Sequence, residues 1–161
     1  MKEEEIREFK EVNPTISNLL PSKPNKIILA FNPVAGGDRQ SPASRLPSRF
    51  RPRAYYEFDL RSGSKKLLMQ GKIALAQVQF DKDANPVYAF GFDASTDEFV
   101  YYYRAPGTKD WREMHRRHED SFESFNVHGL DPEKPDTLLV SAHNGRDKTA
   151  LWEFDLKTMQ F

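Results

Sequence analysis

The chain has 161 residues, enough for one domain with a real core, and its 24 basic and 24 acidic residues cancel. Balanced charge argues against a general attraction to nucleic acid or to an anionic membrane, and the absence of cysteine excludes disulfides, thiolate nucleophiles and cysteine-ligated zinc. At 38% hydrophobic, 30% charged and 12% aromatic, the composition is too aromatic for a disordered chain and suits strands with one wet face and one aromatic face.

Residues 1–14 form a lead-in whose charged stretch 2–10 has Ile6 and Phe9 as its only large apolar residues; that stretch fits one or two helical turns or an edge strand, and Pro14 ends it. The start, Met1-Lys2-Glu3-Glu4-Glu5, has no apolar stretch behind it and does not read as a signal peptide, and no run approaches the roughly 18–20 apolar residues of a membrane span, so a cytoplasmic location is expected. Thr15 to Leu20 is a short strand closed by the turn formers Pro21-Ser22-Lys23-Pro24-Asn25. Lys26 to Phe31 is nearly continuous in apolar residues, the pattern of a strand buried on both faces.

Residues 32–53 hold Gly36-Gly37, four prolines and a basic series, Arg39, Arg45, Arg49, Arg51 and Arg53, with Asp38 as the only acid. This is a long loop inserted between two strands, either simply solvated or a docking loop for an acidic partner. Gly36-Gly37 does not make a phosphate loop, because no Gly-Lys-Ser/Thr follows.

From Tyr55 onward, strands and polar turns alternate. Tyr56, Phe58 and Leu60 alternate with Glu57 and Asp59, a period of two that predicts one buried face. Ser62-Gly63-Ser64 turns the chain into Lys65–Gln70, and Ala76–Phe80 follows. After the turn at 81–86, Val87–Phe92 places Tyr88, Phe90 and Phe92 on one face, and Phe99–Arg104 runs back with three tyrosines. Ala105-Pro106-Gly107-Thr108 is a tight turn. Asp110 to Arg117 is compatible with strand or helix, and the surrounding hairpins favour a strand. Ser124–Leu130, Thr137–Ala142 and the Trp152 strand complete the series, with a hairpin turn around Asn144-Gly145.

A repeat runs through this order. Lys23-Pro24-Asn25 and Lys134-Pro135-Asp136 each precede an apolar strand, and each copy then ends in an aromatic strand, Tyr56-Glu57-Phe58-Asp59-Leu60 or Trp152-Glu153-Phe154-Asp155-Leu156. Units of four antiparallel strands are how a β-propeller is built. The expected fold is therefore all-β: an open, partial β-propeller of about three blades over 15–161, with one blade at 15–70 carrying the 32–53 insertion, one at 76–117, and an incomplete one at 122–161. Its unpaired edge should promote self-association.

The order Leu19-Leu20-Pro21, Tyr56 to Gly63, Gln79 to Val87 and Tyr102 to Trp111, with Glu153 to Thr158 at the next strand, resembles the N-terminal propeller region of prolyl oligopeptidase family serine peptidases. The resemblance covers about 15–161 and rests on turn and strand residues. It implies a non-catalytic propeller portion that gates peptide access to an α/β-hydrolase domain of the same parent chain, with peptides as substrates. No Gly-x-Ser-x-Gly occurs, so the chain itself carries no nucleophile elbow and no catalytic residue is transferred. The alternative is a stand-alone propeller-like interaction module.

Two clusters invite chemistry. His115 and His118 with Glu119 or Asp120 have metal-ligand chemistry, but residues three apart on a strand face opposite sides and the adjacent Arg116 and Arg117 repel a cation. His128, Ser141 and Asp147 supply the residue types of a triad without its motif. Neither cluster is assigned a site, and no metal or cofactor is expected.

Overall fold

Alternating side chains and closely spaced turns produce eleven strands and no helix among the described residues of the computed structural model, which are 14–31, 51–131, 133–134 and 136–161. The first sheet joins β1 (Thr15–Leu19), β2 (Lys26–Phe31), β3 (Ala54–Asp59) and β4 (Lys65–Gln70). The second joins β5 (Gln77–Phe80), β6 (Pro86–Asp93), β7 (Glu98–Tyr103) and β8 (Arg112–His118). The third joins β9 (Phe125–Leu130), β10 (Thr137–Ala142) and β11 (Ala150–Asp155). Every pairing is antiparallel and between consecutive strands, so each sheet is a meander, and no sheet is closed. The protein is all-β, in a propeller-like and open arrangement of three sheets.

The segment compatible with strand or helix is a strand, because its Tyr101 and Glu98 neighbours on β7 pair with His115 and His118. Most of the 1–14 lead-in, together with Gly36-Gly37, Arg39, Arg45 and Arg49 of the basic loop, lies outside the described residues.

The sheets stack in chain order. On one side of the second sheet, Val78, Phe80 and Ala89 pack with Ile28, Ala30 and Tyr55 of the first sheet. On its other side, Phe99, Tyr101, Tyr103 and Met114 pack with Phe125, Leu138, Val140 and Phe154 of the third. The second sheet is thus covered on both faces, and full burial of a Val, Ile, Leu, Met or Phe side chain among these contributes about 1.5–3 kcal/mol. Polar bonds reinforce the first junction: Asn18 Nδ2 donates to the Phe80 carbonyl at 3.0 Å, and the Val78 N–H donates to the buried Tyr55 hydroxyl at 2.8 Å. Gly91 is needed for close approach there. A Cβ at this position would lie 2.1 Å from the Ala74 carbonyl oxygen, inside the backbone of the connection between β4 and β5.

The repeat is visible in atomic detail. Lys23 Nζ lies 3.0 Å from the Glu57 carboxylate, and Lys134 Nζ lies 2.6 Å from that of Glu153. Leu60 N–H donates to the Asn25 carbonyl at 2.7 Å, and Leu156 N–H donates to that of Asp136 at 2.8 Å. Asp59 and Asp155 each accept the backbone N–H groups two and three residues on, closing the turn after the aromatic strand.

One expectation fails in the first copy. Tyr56, Phe58 and Leu60 are only half-buried or exposed, Leu60 at 58%, whereas their neighbour Tyr55 is buried. In the later copy Phe154 and Leu156 are buried as the pattern requires. The local pattern is the same, but the third sheet has the second sheet on that side. The equivalent side of the first sheet faces away from it.

Candidate functional site

A cleft of about 300 Å³ lies between the second and third sheets. Alternation on β5 places Val78 and Phe80 in the junction with the first sheet and turns Gln77 and Gln79 into this cleft. Tyr88, Phe90, Phe99 and Tyr101 come from β6 and β7, Phe125 and Val127 from β9, and Arg117 from β8, with Asn126 at the rim where β9 is an edge strand, its row lying on the other face of the sheet. Arg117 pairs across the ladder with Phe99, and its guanidinium lies 4.1 Å from the Phe99 ring centroid, a cation–π contact. Its Nε is buried with no hydrogen-bond partner among the described residues. Burial pushes the Tyr101 phenol pKa up, while a hydrogen bond from Arg117 acts in the opposite direction. Amide side chains, one cation and aromatic walls are the groups that hold extended polypeptide or a small carboxylate.

The histidines of the metal-like cluster are separated by the pleat. His115 stacks on Phe125 with ring centroids 4.2 Å apart, on the side of the third sheet. Burial, and then the Arg117 charge, depress its pKa below the ordinary histidine value. His118 lies at the far end of β8, with Nδ1 accepting from the Asp120 N–H at 3.2 Å. Between them Arg116 points the other way and gathers three carboxylates, Asp93 at 3.2 Å, Glu98 at 2.8 Å and Glu113 at 2.9 Å. Hydrogen bonds from Ser95, with the Arg116 guanidinium adding to them, hold Asp93 down to about 2. These acids are committed to one arginine that clamps β6, β7 and β8.

Nor does the structure assemble His128, Ser141 and Asp147. Ser141 sits on the outward face of the third sheet opposite Asn126 and Leu151, Asp147 is in the turn before β11, and no hydrogen bond joins any two of the three among the described residues. It brings together a different set. His143 Nδ1 accepts the Ser124 N–H at 3.0 Å and lies 3.1 Å from Ser124 Oγ, while Nε2 lies 3.4 Å from Thr149 Oγ1. Ala142 pairs with Phe125, so residues 124 and 143 are bound to meet, and this pair was derivable from the two strands alone. Activation of a serine requires the second ring nitrogen to donate to a carboxylate. Here it meets a threonine, and the first nitrogen is already engaged by a backbone N–H. The trio brackets the ends of β9, β10 and β11.

The fold and site define a class: an open stack of antiparallel meanders with an aromatic, arginine-bearing cleft between two of them. In comparisons with known proteins, no family model, no curated protein and no solved structure matches the chain. The likeness to the peptidase propeller therefore rests on the sequence motifs.

Proposed function

We propose that the chain is the non-catalytic propeller portion of a serine peptidase of the prolyl oligopeptidase family, gating peptide access to an α/β-hydrolase domain elsewhere in the parent protein. One observation carries this reading. The segments that bear the resemblance, Tyr56 to Gly63, Gln79 to Val87 and Tyr102 to Trp111, fall on the strands and hairpin turns of sheets that succeed one another as blades do. Gating is a matter of surfaces rather than of a nucleophile, and the Arg117 cleft offers amide and aromatic groups suited to polypeptide. The same cleft favours a second reading, a stand-alone module that binds a peptide-like partner without chemistry.

Two measurements separate the readings. The purified chain should neither hydrolyse prolyl peptides nor be labelled by a serine-directed phosphonate; turnover with labelling overturns both. The reading frame of the parent gene should encode Gly-x-Ser-x-Gly followed by Asp and then His. A gene lacking that domain removes the peptidase reading and leaves the module.

A further inference from the structure

Each sheet has one face toward the sheet before it and one toward the sheet after it, and the repeat identifies which is which. In the first sheet, the face packed on the second is made of two cross-strand rows, Thr15–Ala30–Tyr55 and Asn18–Ile28–Glu57. In the third sheet, the face turned away from the second carries Asn126–Ser141–Leu151 and Gly129–Leu139–Glu153. The rows correspond position for position: a polar residue, a small residue and a large apolar residue in one; a small or amide residue, a branched aliphatic and a glutamate in the other.

In the first sheet this face meets a partner. Lys23, paired with Glu57, also donates to the Asp83 carbonyl in the turn between β5 and β6 at 3.1 Å, and Ser22 Oγ donates to the Lys82 carbonyl beside it. In the third sheet Lys134 is paired with Glu153 in the same way, and Leu151 is 65% exposed. The outward face of the third sheet thus repeats a docking face that already works once in this molecule.

The complementary face lies on the far side of the first sheet. Tyr56 and Phe58 stand there as counterparts of Trp152 and Phe154, which join the third sheet to the second. Ile16, Leu19 and Leu67 share their rows and are 64%, 68% and 52% exposed. Large aliphatics gathered on one sheet face mark an association surface.

We propose that two copies of this chain associate head to tail, the outward face of each third sheet packing on the far side of the other copy's first sheet. Two copies bring six sheets together. That number lies within the usual four to eight of a closed propeller, so a heterologous contact of this kind can close on itself instead of growing into a filament. The proposal rests on the internal repeat and fits the stand-alone module, since in a longer propeller parent further sheets would occupy the same two faces.

The test is sedimentation velocity of the full chain and of two exposed-face variants, Leu151→Lys and Ile16→Lys, with Leu19→Lys as a second variant of the latter face. Circular dichroism confirms that each variant keeps its strands. The unmodified chain should sediment at twice its 18.7 kDa mass, and each variant should raise the dissociation constant by about tenfold or more. Mixing Leu151→Lys with Ile16→Lys should recover dimer, because each supplies the face the other lacks. A chain that is monomeric at every concentration overturns the proposal. So does a dimer unaffected by all variants, which would point to pairing along the β11 edge, and so does a mixture that stays monomeric.

Discussion

Tyr55 joins two sheets with two kinds of contact. Its ring is buried 5.2 Å from that of Phe80, and its hydroxyl accepts the Val78 N–H at 2.8 Å. Burial raises the phenol pKa, so the group stays neutral and keeps its proton. A buried backbone donor that loses its acceptor incurs its desolvation penalty in full, about 1–3 kcal/mol. Tyr55→Phe keeps the ring and removes only that acceptor. It should lower the stability measured by urea unfolding by about that amount with an unchanged denaturant slope. A change within error would mean that the Val78 N–H finds another acceptor or water.

At the scale of elements, the two lysine–glutamate pairs are the same device in different surroundings. Glu57 is 11% exposed and is held by both Lys26 at 2.6 Å and Lys23 at 3.0 Å. Glu153 is 57% exposed and is held by Lys134. Surface ion pairs contribute little, so Glu153→Gln should leave the unfolding midpoint within error, whereas Glu57→Gln should lower it measurably. Hydrogen bonds from Lys26 and then Lys23 depress the Glu57 pKa below its ordinary 4.5. A carboxylate of this kind stabilises the fold fully above its unfolded pKa and loses that contribution as pH falls through the folded value. The gap in stability between the unmodified chain and Glu57→Gln should therefore be constant from neutral pH down to about 5 and close below the ordinary glutamate range. A gap that widens on acidification would show that the lysines are not its cause.

The sequence made the strands, their turns and this repeat legible, because alternation and Lys-Pro and Asp-x-x-Ser/Thr turns are local signals. Burial was less legible. Leu60 and Leu156 occupy the same position after the same motif with the same backbone bond, yet Leu156 is 3% exposed and Leu60 is 58% exposed. Only the neighbouring sheet distinguishes them, and a neighbour in space is not written in a local pattern. The Arg117 cleft was hidden for the same reason, since its lining comes from five strands of two sheets.

For the whole molecule, the stacking order sets where stability concentrates. The clusters on either side of the second sheet are distinct, one holding Ile28, Tyr55 and Val78, the other Phe125, Val140 and Phe154, and only the second sheet contributes to both. An architecture in which each unit touches only its neighbours behaves as a one-dimensional array, with the units at the ends opening first. Native-state hydrogen exchange should therefore find the slowest amides in β6 and β7, with β2, β3, β10 and β11 opening at lower free energy. Phe125 is 1% exposed and meets Tyr101, His115 and Phe154 at ring separations of 4.9, 4.2 and 5.5 Å. Truncation of such a residue costs about 3–5 kcal/mol. Phe125→Ala should accelerate exchange throughout β9, β10 and β11 while leaving β2 and β3 near their original rates, because the first junction shares no side chain with the second. If β2 and β3 accelerate equally, the three sheets unfold as one cooperative unit, and the coupling must run through the second sheet's backbone rather than through separate interfaces.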